Sequence, residues 1–555
     1  MNSSTHFNML DSVSSTASRN TARPVLLVGF QRHSNLGIGY LAATLTSAGY
    51  SVEVFDFEAD REHILRAAKT RDPVLIGFSL IFQSYIHWFG SLIRFLRDNG
   101  VVCHFTIGGH FPSLSYERTL DLLPELDSVV RFEGEQTLLE LVDVLASGLG
   151  SDNDWRQIPG LAYRQQGSVI ASPMRHLIDN LDSLPYPVRT FNRNAILGRN
   201  STPMLASRGC ARTCSFCSIH MFYRTAPGKV VRTRKPAEVA REMRFLLEEH
   251  EISIFLFQDD DFPLFGPVWR RWTREFLDEL QRNDLPGRIA WKINCRADAV
   301  DRELFAEMKE AGLFMVYMGL ESGTEEGLKA LHKQITVEQN IRAVEILKEI
   351  GIIFEFGFML LDPSSTFQSV RDNVAFLRTI AGDGSAGVTF GRMVPYDGTP
   401  IKDDLERAGR LKGDVCKPDY DFLDPRLTNF YDELVRIINV TGWTHGYEAL
   451  SPQLNFAWDE IAIIEHLFPA VPGLSAYRET VRKITADSNE ALFQIVEDTA
   501  FVFSHGRPAR CSADELRSQC GTFAALLMES RNAFVLRNQD LLLESLRRDG
   551  QAVCT

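Results

Sequence analysis

No stretch of the 555-residue chain stays apolar over the ~18–20 residues that a membrane-crossing helix needs. The longer apolar runs, such as Ile252 to Phe257, have the length of strands, so no membrane partner is expected. Positive charge is also in deficit. Against 72 Asp and Glu stand 59 Lys and Arg, a formal net charge of −13, which argues against a broad nucleic-acid footprint. The nine cysteines are odd in number and, apart from one tight trio, widely spaced (Cys103, Cys295, Cys416, Cys511, Cys520 and Cys554). A disulfide framework is therefore not expected. The first residues are rich in Ser, Thr and Asn and lack a basic start followed by an apolar stretch, so 1–23 reads as a disordered tail and not as a signal peptide. A cytoplasmic protein is the expectation. No internal repeat of fixed period is visible. What remains, 45% hydrophobic and 24% charged, is the composition of a globular protein with material for three or four domains.

Residues 24–147 alternate strand and helix. Apolar strands are predicted at Pro24–Gly29, Ser51–Phe55, Val74–Phe78, Val101–Ile107 and Asp127–Phe132. Helices are predicted after the first strand, where Ile38, Leu41, Leu45 and Ala48 share a face, at about Tyr85–Arg97 and at Gln136–Leu145. Such alternation implies a parallel, five-stranded Rossmann-like or flavodoxin-like sheet, whose ligands sit beyond the carboxyl ends of the strands. Those ends carry Gly37-Ile38-Gly39, Ser79, Gly108-Gly109-His110 and Glu133-Gly134-Glu135. Small residues there allow a large flat ligand near the backbone, or merely close tight turns. Residues 148–202 read as a linker, with a polar run at 148–153 and a hairpin formed by Leu161–Arg164 and Val169–Ala171. From 203 a second alternation begins, with strands at 203–207, 252–258, 289–295, 314–319, 353–360 and 386–392. Six strand–helix units suggest an open, partial α/β barrel over 203–402, with chemistry at the carboxyl ends of its strands. The remainder, 403–555, reads as a helical C-terminal domain with segments at 426–442, 458–468, 475–505 and 513–547.

The loop after the first barrel strand reads Cys210-Ala-Arg-Thr-Cys214-Ser-Phe-Cys217. Three soft sulfur ligands at that density suit zinc or an iron–sulfur cluster. A structural zinc site wants four ligands, and His220 or Cys295 are the candidates for the fourth. The C-x3-C-x2-C spacing, the aromatic Phe216 before the third cysteine and the place after a barrel strand resemble the radical S-adenosylmethionine (SAM) enzymes. The resemblance implies that Cys210, Cys214 and Cys217 hold three irons of a 4Fe–4S cluster. The fourth iron is then left for the amino and carboxylate groups of SAM, which is split to a 5′-deoxyadenosyl radical. An external low-potential electron donor of flavodoxin or ferredoxin type goes with that chemistry.

Further positions fit the same family. Gly319-Leu320-Glu321-Ser322-Gly323 resembles its G-x-E-S-G motif, which implies that Glu321 meets the ribose of SAM; a carboxylate can accept two hydrogen bonds from a diol. Gln258-Asp259-Asp260-Asp261-Phe262 departs from the common Gly-Gly-Glu and resembles a D-D-x-F version, which makes Asp259 or Asp260 a candidate contact to the ammonium. Arg296, in an R-x-D pattern with Asp298, is a candidate for the SAM carboxylate, with a plain salt bridge to Asp298 as the alternative. The basic run Arg224, Lys229, Arg232, Arg234 and Lys235 reads as solvated charge leading into a helix. Cys103 reads as a buried strand residue.

The first domain is similar to the cobalamin-binding domains joined to radical SAM enzymes, through Leu36–Ala42, Ile76–Ser79, Gly108–Pro112, Glu133–Glu135 and the later Pro395–Pro400. The resemblance covers roughly 24–402 and implies that Ser79, Gly108, Gly109 and Gly134 line a cobalamin site. Two departures stand out. The D-x-H-x-x-G that puts a His on cobalt is absent, since Gln31-Arg32-His33-Ser34-Asn35 does not fit it. Leu361–Thr366 stands where many relatives have G-x-P-G-E-T. The fold expected is therefore α/β: a Rossmann-like cobalamin-binding domain, an open (β/α)6 partial TIM barrel and a helical C-terminal region. The function expected is methylation of an unactivated carbon or phosphorus of a small-molecule substrate through methylcobalamin and the deoxyadenosyl radical. Oxidative cyclisation or rearrangement without methyl transfer is the alternative.

Overall fold

The computed structural model describes residues 23–31, 35–147, 155–189, 195–196, 199–444, 448–505 and 513–542. The expected tail at 1–22, the polar run at 148–153, His33, Cys511, Cys554 and the end of the last predicted helix lie outside them.

In the N-terminal unit Val25–Gly29 (β1), Val52–Asp56 (β2), Leu75–Ser79 (β3), His104–Gly108 (β4) and Ser128–Val130 (β5) run parallel in the order β2-β1-β3-β4-β5. The sheet is covered by Leu36–Ser47 (α1), Arg61–Arg71 (α2), Ile86–Asp98 (α3), His110–Leu114 (α4), Tyr116–Leu122 (α5) and Glu135–Ser147 (α6). β1 is buried on both faces, which is why it is apolar without alternation. Val25 and Leu27 pack with Ile38, Leu45 and Leu141, while Leu26 and Val28 pack with Phe89 and Ile93. The sheet does not stop at five strands. The hairpin Leu161–Gln165 (β6) and Ser168–Ala171 (β7), expected in a linker, pairs antiparallel with β5 and extends it to seven. Its pairing satisfies the edge of β5 that would otherwise stand open. Cys103 lies just before β4 and is half-buried, because the strand starts later than its apolar run suggests.

The second sheet has the order β16-β15-β14-β13-β12-β9-β8. Its parallel strands are Arg199–Met204 (β9), Ile252–Phe257 (β12), Ala290–Cys295 (β13), Leu313–Glu321 (β14), Ile353–Leu361 (β15) and Gly391–Arg392 (β16); Ala195–Ile196 (β8) is an antiparallel edge. β9 ends before the predicted strand does, and Ser207–Arg208 (β10) pairs instead with Arg232–Thr233 (β11) in a separate ribbon. The sixth strand shrinks to two residues. Outside the sheet lie Ser218–Thr225 (α7), Pro236–His250 (α8), Gly266–Arg282 (α9), Arg302–Glu310 (α10), Glu325–Ala330 (α11), Val337–Ile350 (α12) and Phe367–Ala381 (α13).

Strand alternation sorts the two faces of this sheet. Phe255, Phe257, Trp291, Ile293, Val316, Met318, Phe354 and Phe356 join the main core with the surrounding helices. Ile254, Leu256, Ala290, Met315 and Ile353 form a smaller core on the concave face. The C-terminal region adds Pro400–Arg407 (α14), an unpredicted hairpin of Leu411–Gly413 (β17) and Pro418–Tyr420 (β18), and Arg426–Thr441 (α15), Leu450–Leu467 (α16), Leu474–His505 (α17) and Ala513–Arg537 (α18). α16 starts a full turn or more before its predicted segment, and its Ala462 and Ile463 fill the concave face of the open barrel. No helix of the described residues is long and apolar enough to cross a membrane.

Candidate functional site

The strand ends of the N-terminal unit face the first loops of the barrel across a cavity of about 410 Å³. Ser79, Gly108, Gly109, His110 and Gly134 line it from one side, and Ser207, Arg208, Phe222, Tyr223 and Asp260 from the other. It continues along the sheet past Gly77 and Thr106 toward Leu27 and Leu138. That size and mixed lining suit a cofactor site. The need for glycine at 109 has a local cause. Its φ is +122° and a Cβ would lie 2.0 Å from the Leu80 carbonyl oxygen, so a tight turn, besides ligand approach, dictates this residue.

A buried ion-pair network, which the sequence did not reveal, joins the two units here. Arg208 Nη1 reaches Glu133 at 3.1 Å and its Nη2 reaches Glu135 at 2.7 Å. Arg232 also donates to Glu133, at 2.8 Å. Burial alone would raise the Glu133 carboxyl, but the Arg208 and Arg232 guanidiniums hold it below its ordinary range. Arg232 and Arg234, read from sequence as solvated, are thus buried; Arg234 pairs with the fully buried Glu242 and with Asp182. Lys229 does remain exposed, beside Asp179.

The three cysteines follow on the adjoining loop. Cys214 is buried and Cys210 and Cys217 are half-buried. Burial, with Asp261 beside it, pushes the Cys210 thiol up to about 12, and burial pushes Cys217 up to about 11. Arg296 donates to Cys214 Sγ at 3.7 Å, to the Lys333 carbonyl at 2.6 Å and to Asp298 at 3.0 Å. The salt bridge to Asp298 and a place beside the cysteine loop are therefore both real. Phe216 packs partly buried against the main core. Among the described residues no three His, Cys, Asp or Glu side chains converge as they would around one metal ion. This goes against zinc on the trio plus His220 or Cys295. A 4Fe–4S cluster asks for thiolates spread around a cube, one per iron, and three thiols on one loop under a buried guanidinium fit that demand. Cys295 is buried in the apolar core and His220 is buried in α7.

The acidic run divides its labour. Asp259 accepts from the Ser207 hydroxyl and the Ala206 N–H and is fully turned inward. Burial pushes it up to about 7. Asp260 accepts from the Gly209 N–H at 2.9 Å and faces the cavity; burial pushes it up to about 6. Asp261 lies 4.0 Å from Cys210 Sγ, and its Oδ1 is buried without a partner. Glu321, at the end of β14, accepts from Lys333 Nζ at 3.0 Å. The segment Pro395–Pro400 clasps both units: Asp397 accepts from Arg118 at 2.7 Å, its N–H donates to Gln83, and the Ile401 N–H donates to the Ser215 carbonyl.

Two family profiles match the chain, the B12 binding domain over residues 22–142 and the radical SAM superfamily over residues 204–377. The chain is a radical SAM enzyme with a B12-binding domain. Its cofactors are those of the two domains: cobalamin, SAM and a 4Fe–4S cluster. The fold is similar to that of the cobalamin-dependent radical enzyme OxsB with aqua-cobalamin bound (TM-score 0.65, 19% identity, 93% of this chain and 81% of that one). It is also similar to the radical SAM methyltransferase TsrM from Kitasatospora setae (TM-score 0.58, 20% identity, 70% and 75%). In sequence this radical SAM enzyme is 27% identical to the anaerobic magnesium-protoporphyrin IX monomethyl ester cyclase of Rubrivivax gelatinosus, over 61% of each chain. It is 23% identical to the cytidylyl-2-hydroxyethylphosphonate methyltransferase of Streptomyces wedmorensis, over 74% of this chain and 83% of that one. The match thus spans less than two thirds of the cyclase.

Proposed function

We propose that the enzyme methylates an unactivated carbon, or phosphorus, of a small-molecule substrate. On this reading residues 24–147 would hold cobalamin, 203–402 the cluster and SAM, and 403–555 would close the substrate side. The observation that carries it is a shared wall. Ser207, Arg208 and Asp260, which lead into or hold the cysteine loop, also line the cavity of the B12-binding unit. A methyl carrier and a radical source must meet at one substrate atom, and adjacency of the two places supports that. When bound, the cluster with SAM supplies a 5′-deoxyadenosyl radical and cobalamin supplies the methyl group.

The protein's own groups bind, orient and exclude water. Cys210, Cys214 and Cys217 are the proposed cluster ligands, and the Arg296 guanidinium lies 3.7 Å from Cys214 Sγ. Burial pushes the Asp260 and Asp261 carboxyls up to about 6, and an ammonium beside them would favour their charged form. Glu321 is the candidate for the SAM ribose. Phe222 and Tyr223, buried on the helix that follows the cysteine loop, line the cavity. A flavodoxin- or ferredoxin-type donor supplies the electron, a chemistry suited to the cytoplasm.

The cyclase relatives support a second reading, ring formation or rearrangement without methyl transfer. Products decide between the two. Reduced, reconstituted enzyme given SAM should release 5′-deoxyadenosine together with S-adenosylhomocysteine if it methylates. Deoxyadenosine alone supports the second reading, and neither product overturns both. Replacing Cys210, Cys214 and Cys217 by Ala should remove iron, sulfide and all SAM cleavage.

A further inference from the structure

A second large cavity, about 690 Å³, opens at the far side of the barrel, between β15, α16 and α18. Its wall carries two carboxylates, Glu355 and Asp459, which feel each other and Lys292. Lys292 and Glu355 alternate with core residues on β13 and β15, so they share the concave face of the sheet. Asp459 stands one turn of α16 before Ile463, the residue that plugs that face. Among the described residues neither carboxylate has an ion pair within 4 Å, and Asp459 Oδ1 is buried with no hydrogen-bond partner. The neighbouring Glu460 shows what a settled acid looks like here: Arg531 holds it through both nitrogens.

We propose that this cavity holds the amine end of the substrate of the reaction inferred above, with Glu355 and Asp459 receiving a ligand ammonium. The charge count supports it. Arg531 also lines the cavity but is held by Glu460, so two half-buried carboxylates, Glu355 and Asp459, face one lysine, and one further cation completes a neutral set. Without a ligand, burial pushes both carboxyls up. The rest of the wall gives the carbon skeleton its class. Phe456, Leu527 and Met528 are apolar, whereas Gln453 and Thr389 offer hydrogen bonds. The site also points toward the chemistry. Glu355 lies in register with Tyr317, and the Tyr317 hydroxyl, under the field of both Glu321 and Glu355, lies where a side chain on Gly357 would be, 2.8 Å from its Cβ position. A polar column thus rises along the concave face from Asp459 to Glu321.

The test uses binding, so it does not depend on turnover. Full-length protein is titrated with phenethylamine and with its neutral counterpart, 2-phenylethanol, by ligand-observed NMR. The amine should bind in the millimolar range or tighter, and at least about tenfold more tightly than the alcohol. Glu355→Gln and Asp459→Asn, which keep side-chain volume, should each bring the amine down toward the alcohol and leave the alcohol unchanged. Equal binding of amine and alcohol, binding of neither, or amine binding untouched by both substitutions overturns the proposal. A retained alcohol signal shows that the variants are folded. SAM cleavage by the wild type, measured separately, tests the radical reading; its failure leaves the binding result standing, and the reverse also holds.

Discussion

Glu321 has φ +66°, the left-handed region that residues with a side chain seldom occupy. Such a conformation costs on the order of 1–3 kcal/mol and persists where the surroundings impose it. Here the imposing groups are Lys333, which holds the carboxylate, and Gly319, whose missing side chain leaves room for it: a Cβ there would lie 2.3 Å from Glu321 Oε1. Glu321→Gln keeps the volume and loses the charge. It should weaken SAM binding by about tenfold or more while iron content stays unchanged. Unaltered affinity in iron-replete protein would reduce this carboxylate to a partner of Lys333. At His104 the expected effect is on stability. Burial lowers its imidazole to about 4, and its ring bonds Ser128 Oγ at 2.8 Å. The folded form thus keeps it neutral where the unfolded chain, with an ordinary value near 6.5, takes up a proton. This contribution is complete above about pH 6.5 and falls away toward pH 4, by up to about 3 kcal/mol. His104→Gln should flatten that part of the urea-unfolding profile relative to wild type.

Among the elements, the turn from β4 into α4 bears most on the cofactor cavity. Gly109 passes directly under the Leu80 carbonyl, and the Leu80 N–H donates to the Gly108 carbonyl at 2.9 Å. Gly109→Ala meets both the carbonyl and an unfavourable φ, so it should destabilise the N-terminal unit by more than about 1–3 kcal/mol. Corrinoid content after purification from cobalamin-fed cells should fall with it. If the melting temperature is unmoved, the turn has more slack than its geometry implies. α16 acts at the other end of the molecule. Its apolar residues close the bottom of an open barrel whose six parallel strands cannot close on themselves.

For the whole molecule, the decisive contact is Arg208 across the two units. Arg208→Met leaves Glu135 with no ion pair among the described residues. Removing one partner of a buried pair costs about 3–5 kcal/mol. Urea unfolding should then split into two transitions, as the N-terminal unit loses its hold on the barrel. Arg208→Lys should not restore one transition, because a single ammonium cannot reach two carboxylates as a fork does. A single unchanged transition in both variants would assign the docking to the contacts that remain, Arg232 on Glu133 and Asp397 with Arg118 and Gln83.

The strand–helix alternation, the cysteine trio and the strand-end glycines were all legible in the sequence. Each is local: apolar period, ligand spacing and turn chemistry operate over a few residues and need no distant partner. The hairpin β6–β7 was legible but its pairing onto the first sheet was not, since whether a hairpin hangs free or pairs depends on an edge supplied by β5. Nor was the fate of the charges. Arg232 and Arg234 look like solvent-facing residues until the tertiary structure brings Glu133 and Glu242, 99 and 8 residues away, into contact with them. Lys292, Glu355 and Asp459 carry no motif at all, and only the packing of α16 against the concave face gathers them. Burial and ion pairing are set by what lies opposite in space, so the fold alone decided which acids and bases of this chain remain open to a ligand.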